Sequence, residues 1–234
     1  MLKKTLTLLL MLTVWTACLQ AQRPYTVDVG TFSRLNVPDN ISVVYRCVPD
    51  SAGKAAFVCD DRYADAFFFS NPKKETLKIQ VSPDFIDEMG ELPIVYVYSE
   101  FLTGVESNSD RRVVIDSPAR NATFKGVLIG NGTLDMKGLD ADKIIAVLAS
   151  GNGTVIAQGS CKEAVLKLTG TGRVDSMELK ADDVICHTFG TGNITCRFND
   201  SLTQKGLGST TIHYKGDPKK VRKKGLAKFN HLSE

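Results

Sequence analysis

The chain has 234 residues, 43% hydrophobic and 24% charged, with 29 Lys and Arg against 26 Asp and Glu. That composition supports a globular core and excludes a disordered, collagen-like or multiply membrane-spanning chain. A net charge of +3 gives no global pull toward nucleic acid.

Residues 1–21 read as a secretion signal, with Lys3 and Lys4 at its start, an apolar run from Leu6 to Val14, and the exit Ala17-Cys18-Leu19-Gln20-Ala21. Cleavage is expected after Ala21. Lipoprotein processing at Cys18 is the alternative, but Trp15-Thr16-Ala17 lacks the branched aliphatic residue usually found three places upstream. No later stretch has the ~20 consecutive apolar residues of a membrane span. Residues 22–234 then form one domain, divided into an N-terminal β cap (22–100), regular rungs (101–215) and a C-terminal cap (216–234).

In the cap, strands are expected at Tyr25 to Val29, Phe32 to Val37, Ile41 to Val48 and Ala55 to Cys59, with turns at Pro38-Asp39-Asn40 and Pro49-Asp50-Ser51. The spacing of Tyr63, Ala64, Phe67 and Phe68 predicts one short helix over Asp60 to Ser70, closed by Asn71-Pro72. Strands resume at Leu77 to Val81 and Leu92 to Tyr98. Phe101 to Ile115 reads as a degenerate rung around a polar corner at Asn108-Ser109-Asp110.

From there one unit recurs. Its corners are Gly130-Asn131-Gly132, Gly151-Asn152-Gly153, Gly170-Thr171-Gly172, Gly190-Thr191-Gly192 and Gly206-Leu207-Gly208, at intervals of 21, 19, 20 and 16 residues. Leu134 and Met136, Val155 and Ala157, Val174 and Ser176, and Ile194 and Cys196 follow the corners in constant phase. Leu128, Val147, Ala149, Leu166, Leu168, Cys186 and Leu202 precede them. The reading is an all-β solenoid with rungs of about 20 residues, each stacked on the last. A meander of hairpins with glycine turns shares the spacing but does not require the constant phase. Glycine suits corners that need positive φ or close backbone approach, so valine at Gly151 or Gly170 should destabilise by about 1–3 kcal/mol.

Beyond the leader, Cys47, Cys59, Cys161, Cys186 and Cys196 are an odd number and cannot all pair. Cys186 and Cys196 fall in the inward phase and are expected as free, buried thiols. No cysteine pair has zinc-site spacing, and His187, His213 and His231 are scattered, so no metal or cofactor is expected. The tail lysines around Pro218 and Gly225 read as a solvated cap or a contact for phosphate or anionic glycan.

The run Phe32-Ser33-Arg34-Leu35-Asn36-Val37, then Asn40-Ile41-Ser42-Val43-Val44-Tyr45, Leu77-Lys78-Ile79, the Gly-x-Gly corners and Ile212-His213-Tyr214-Lys215-Gly216-Asp217-Pro218 resemble the head GIN domain family, described as putative auto-transporter adhesins. The resemblance covers roughly Val27 to Lys228, and its specificity lies in the order and spacing of loose motifs. It implies an exported protein, typically of Bacteroidetes, with a right-handed β-helix and an adhesive role. It supplies no catalytic residues.

Other motif readings lack their context. Gly130-x-Gly132-x-x-Asp135 has no nine-residue calcium-roll period, and no helix follows the glycines as a dinucleotide fingerprint requires. Asp135, Asp140, Asp142, Asp175, Asp182 and Asp183 do not gather on one rung side as a polysaccharide-cleaving β-helix would need. The outward phase carries Lys143, Lys162, Lys167, Lys180, Asp182, Arg173 and His187, read as one flat mixed-charge surface. The expected function is a non-catalytic, adhesin-like module of the bacterial envelope, periplasmic or surface-exposed, binding an extended glycan or envelope protein weakly per copy. A structural envelope component and a polysaccharide-acting enzyme are the alternatives. Oligomeric state is not legible in the sequence.

Overall fold

A computed structural model describes residues 22–72 and 74–233; the expected leader and Cys18 lie outside the described residues. The strands in chain order are β1 (Arg23–Asp28), β2 (Arg34–Val37), β3 (Val43–Arg46), β4 (Lys54–Cys59), β5 (Phe67–Ser70) and β6 (Thr76–Val81). A helix α1 (Pro83–Met89) intervenes, followed by β7 (Val95–Tyr98), β8 (Gly104–Ser107), β9 (Arg112–Asp116), β10 (Asn121–Ile129), β11 (Thr133–Ser150) and β12 (Thr154–Leu168). The chain ends with β13 (Arg173–Ser176), β14 (Leu179–Thr188), β15 (Asn193–Arg197), β16 (Ser201–Gly206), β17 (Thr211–Lys215), β18 (Val221–Gly225) and β19 (Lys228–His231).

Parallel pairing of equivalent segments, one rung apart, makes a β-solenoid of about six turns. One wall is built by strands that enter the glycine corners: β6, β2, β8, β10, the second halves of β11 and β12, β14, β16 and β18. The other is built by strands that leave them: β7, β3, β9, the first halves of β11 and β12, β13, β15, β17 and β19. We call these the entry wall and the exit wall, and the turn opposite the glycines the far corner.

Period-two alternation puts every second side chain inside, and in-register stacking lines those side chains up in columns. Leu134, Val155, Val174, Ile194 and Ile212 form one column of the exit wall, all fully buried. Across the interior, Gly126 leaves the space that the Met136 side chain fills, because a Cβ there would lie 2.2 Å from its sulfur. Toward the C-terminus the entry-wall columns turn polar. Leu148 and Leu168 give way to Thr188, whose hydroxyl accepts a 2.9 Å hydrogen bond from buried Gln204.

At the glycine corners the backbones of successive rungs touch. A Cβ on Gly172 would lie 2.0 Å from the Gly153 carbonyl oxygen, and one on Gly192 would lie 1.9 Å from that of Gly172. The same oxygens accept the Arg173 and Asn193 amides at 3.0 Å, so corner and ladder are one device. The Asn131 side chain extends it by accepting the Asn152 amide at 3.1 Å.

Two expected positions shift. The 21-residue interval before Gly151 contains a bulge: Leu128 pairs Leu148 but Ile129 pairs Ser150, leaving Ala149 as the extra residue. Leu148 and Ala146 therefore point inward, while Val147 is half-exposed on the outer face. Likewise His187 pairs Lys205 and Asn193 pairs Thr211, so the corner above Gly190-Thr191-Gly192 is Gly208-Ser209-Thr210. Gly206 ends the entry strand and packs against the Thr188 carbonyl.

The cap departs most from its expected form. Asp61–Ala66 is a 3-10 turn, opened by the Asp60 carboxylate accepting the Arg62 amide, and Phe67–Ser70 is strand β5. The α-helix is α1 instead, begun by Ser82-Pro83 and stopped by Gly90 at φ +65°. Phe67 and Phe69 are drawn into a strand because Phe57 of β4 receives both rings, with centroids 4.6 and 6.0 Å away. Antiparallel strands β4 and β1 continue the exit wall above β7, and β5 continues the entry wall above β6. The first strands in sequence are not first in the stack, since β2 lies between β6 and β8, and β3 between β7 and β9. Phe101 to Ile115 does form a rung, with β8 and β9 around Asn108-Ser109-Asp110.

Candidate functional site

The outward charges do not share one surface. Lys143, Lys162, Lys180 and Asp182 lie at or beside the far corner, Arg173 lies on the exit wall, and Lys167 and His187 lie on the entry wall. At the far corner the charges are knitted together. Arg120 reaches Asp140 and Asp142 at 3.4 Å, Lys162 reaches Asp142 at 3.1 Å, and Lys143 reaches Glu163 at 2.5 Å. The Lys162 ammonium holds the Asp142 carboxyl below its ordinary value, with Arg120 contributing less. Such exposed, solvent-screened pairs help align the rungs and contribute little to stability.

The carboxylates that a β-helical hydrolase would use are committed elsewhere. Asp135 is 1% exposed on the exit wall, gripped by the Arg112 guanidinium and approached by the Lys137 ammonium at 3.5 Å. Asp175, two rungs on, accepts from Arg173 at 2.6 Å, from the Thr195 hydroxyl at 2.5 Å and from the Met177 amide at 3.2 Å. Asp182 accepts from Asn199 and Asp183 from Ser201 around the far corner. These carboxylates are divided between two sides of the column rather than paired across a cleft. Among the described residues no three or more His, Cys, Asp or Glu side chains are placed to hold a metal ion.

The exit wall offers the longest regular polar surface. The residue that follows each corner faces outward, giving the column Thr133, Thr154, Arg173, Asn193, Thr211 and Lys228 in register. Beside it run Asp135, Ile156, Asp175, Thr195, His213 and Asn230, with the His213 ring and the Asn230 amide 3.0 Å apart. Donors and acceptors therefore repeat every ~4.8 Å up a flat sheet. The residues after each second glycine had this signal in the sequence, since Thr133, Thr154, Arg173 and Asn193 are all polar.

A cleft of about 520 Å³ lies in the cap between β4, α1 and the segment before β7. Val58, Tyr63, Met89, Leu92, Ile94 and Tyr96 line it, with Arg62 and Glu88 at its edge. Nothing in the sequence pattern marked it, because its walls come from three non-adjacent segments.

The sequence model of a family described as "Putative auto-transporter adhesin, head GIN domain" matches residues 31–218. Among solved structures, a putative adhesin from Bacteroides fragilis covers 91% of this chain and 97% of its own, at 19% identity and a TM-score of 0.76. A putative lipid binding protein from Parabacteroides distasonis covers 91% and 97% at 16% identity, with a TM-score of 0.69. A putative adhesin from Parabacteroides merdae covers 91% and 96% at 17% identity, with a TM-score of 0.68. At these identities the likeness is one of fold. No curated protein matches the chain.

Proposed function

The chain belongs to the head GIN domain family, and from that premise we propose that it is an exported, non-catalytic, adhesin-like module of the cell envelope that binds an extended target along its exit wall. The observation that carries this reading is the polar column Thr133, Thr154, Arg173, Asn193, Thr211 and Lys228, spaced by the rung repeat on a flat sheet. A surface without a deep cleft suits a polymer better than a small molecule, which needs enclosure. The spacing suits a chain whose own units repeat at a similar distance, as an extended glycan does. Hydroxyl, amide and guanidinium groups supply the hydrogen bonds. Few aromatic rings stand on this wall, so affinity per copy is weak and useful attachment comes from many copies together.

Binding of a panel of neutral and acidic polysaccharides should be compared for the monomer and for the protein displayed on beads, alongside an Arg173→Ala, Asn193→Ala double variant. Display should raise apparent affinity by roughly 10²–10⁴, and the double variant should lose that gain while melting as wild type does. Absence of any gain on display, or release of reducing ends from a polysaccharide, would overturn the proposal.

A further inference from the structure

The lower part of the entry wall carries a surface of a different kind. Outward residues Lys167, His187, Lys205 and Lys224 are paired rung over rung, forming one basic ladder with Arg222 beside it. Neither Arg222 nor any of these three lysines makes an ion pair with a described residue, whereas at the far corner Arg120, Lys143 and Lys162 all do. Glu163 and Asp183, the acidic residues of β12 and β14 on this wall, each lie two outward steps nearer that corner and are held by Lys143 and the Ser201 hydroxyl. The ladder is therefore a column of uncompensated cations on internal strands as well as at the open end. Protection of the terminal edge against strand addition explains Lys224 but not Lys167 or Lys205.

Two residues beyond three members of this ladder stand Phe189, Leu207 and Leu226, in the same outward phase. Their exposures are 62%, 75% and 64%. Since His187 pairs Lys205 and Lys205 pairs Lys224, the three apolar side chains stack into one exposed column along the corner edge. The equivalent places one and two rungs earlier hold Thr169 and Ala149, so the apolar edge is confined to the rungs that carry the ladder.

We propose that this edge is a docking surface for an anionic phospholipid bilayer, with Phe189, Leu207 and Leu226 entering the headgroup boundary while Lys167, Lys205 and Lys224 meet the lipid phosphates. The geometry fits the depth required. Two residues along a strand rise ~6.6 Å, which sets the cations one headgroup layer behind the apolar tips. The apolar side chains protrude in one line set by the rung register, which suits a planar membrane better than an enclosing protein pocket. Charge selects the partner: cations without counter-ions are attracted to anionic lipid, and the apolar tips distinguish a bilayer from a soluble acidic polymer. This surface lies on a different wall from the proposed target-binding column, so both can be occupied at once.

Sedimentation with vesicles tests it, comparing phosphatidylcholine alone with an equimolar mixture of phosphatidylcholine and phosphatidylglycerol. Binding is expected to the mixed vesicles, falling with added salt. Each of Lys167→Gln, Lys205→Gln and Lys224→Gln should weaken it roughly fivefold. The triple variant Phe189→Ser, Leu207→Ser, Leu226→Ser should weaken it at least about tenfold. Leu207→Ser alone serves if the triple variant does not fold. Lys162→Gln, at the far corner, should bind as wild type does.

Equal binding to both vesicle types, no binding to either, or full retention by the serine variants would overturn the proposal. Retention by the serine variants together with loss in the lysine variants would identify a soluble polyanion site instead. Arg173→Ala, Asn193→Ala should leave vesicle binding intact. Failure of vesicle binding with polysaccharide binding preserved would remove this inference and leave the proposed function standing.

Discussion

Replacing Gly170 by valine isolates the contact that stacks one rung on the next. Gly170 does not occupy the left-handed region, so any penalty comes from space alone. Its new Cβ would lie 2.2 Å from the Gly151 carbonyl oxygen, more than 1 Å inside ordinary contact. That oxygen accepts the Thr171 amide at 2.9 Å, so moving the rung away to relieve the clash stretches the bond that holds it. Overpacking costs about 1–3 kcal/mol and the weakened hydrogen bond about 1 more, giving roughly 2–4 kcal/mol. Gly151→Val meets the same obstacle, with its Cβ 2.3 Å from the Gly130 oxygen, and also sits at φ +82°. It should lose a further ~1–2 kcal/mol from backbone strain. Thr191→Ala, on the exposed residue between two corner glycines, should change stability by no more than ~0.5 kcal/mol. Urea denaturation followed by far-ultraviolet circular dichroism measures all three. If Gly170→Val unfolds with Thr191→Ala, the corners are not where the rungs are locked and the magnitude above has no basis.

Removing the Arg112 side chain leaves the buried Asp135 carboxylate with only Lys137 near it, so Arg112→Ala should destabilise by about 1–3 kcal/mol; an unchanged urea midpoint would contradict that account. Half-buried Cys47 should react first with a thiol reagent in the native protein. Cys161, whose thiol burial pushes up to about 12, should wait for unfolding. The same holds for Cys186, raised well above the ordinary thiol value by its contact with Cys196 and by burial, as mass mapping of timed labelling would reveal. Burial first, then the Lys167 and Lys205 ammonium groups, holds the His187 imidazole below its ordinary value in the fold. The unfolded chain therefore takes up that proton at higher pH, and stability falls as pH drops through the ordinary histidine range, levelling once the folded protein is protonated too. His187→Gln should flatten that part of the stability profile; an identical slope in the variant would show the dependence lies elsewhere.

How much of this could be read from the residues depends on whether the information was local. Gly130, Gly151, Gly170 and Gly190 announce a stack because the same backbone problem recurs once per rung. The inward phase after each corner follows from alternation, as Leu134, Val155, Val174 and Ile194 illustrate. Counting back from Gly151 instead selects Val147, because Ala149 is a bulge that alternation cannot reveal; only pairing of Leu128 with Leu148 exposes it. Aligning the final corner on Gly206 hides the column of Phe189, Leu207 and Leu226, which appears once Gly208 is set above Gly190. Ser82-Pro83-Asp84 was a helix-start signal in plain view, but seven residues leave little periodicity for α1 to display. Asp61 to Ser70 carries helical spacing yet ends in a strand because Phe57, in another segment, takes its rings. The exit-wall candidate site was partly visible as polar residues following the glycines, whereas its coupling through Arg112 and Asp135 spans a rung and has no local signature.

The placement of β2 and β3 bears on how the chain assembles in time. They emerge early, yet both of their long edges are covered by segments made later, β6 and β7 above and β8 and β9 below. The column thus extends in two opposite directions from a seed laid down near its beginning, and the downward direction then proceeds through adjacent segments, each closing a short loop on its predecessor. A seed with two bare edges would be a template for any neighbouring copy of the same chain. Because the polypeptide returns to occupy both, the folded chain offers neither edge of that seed to a neighbouring copy.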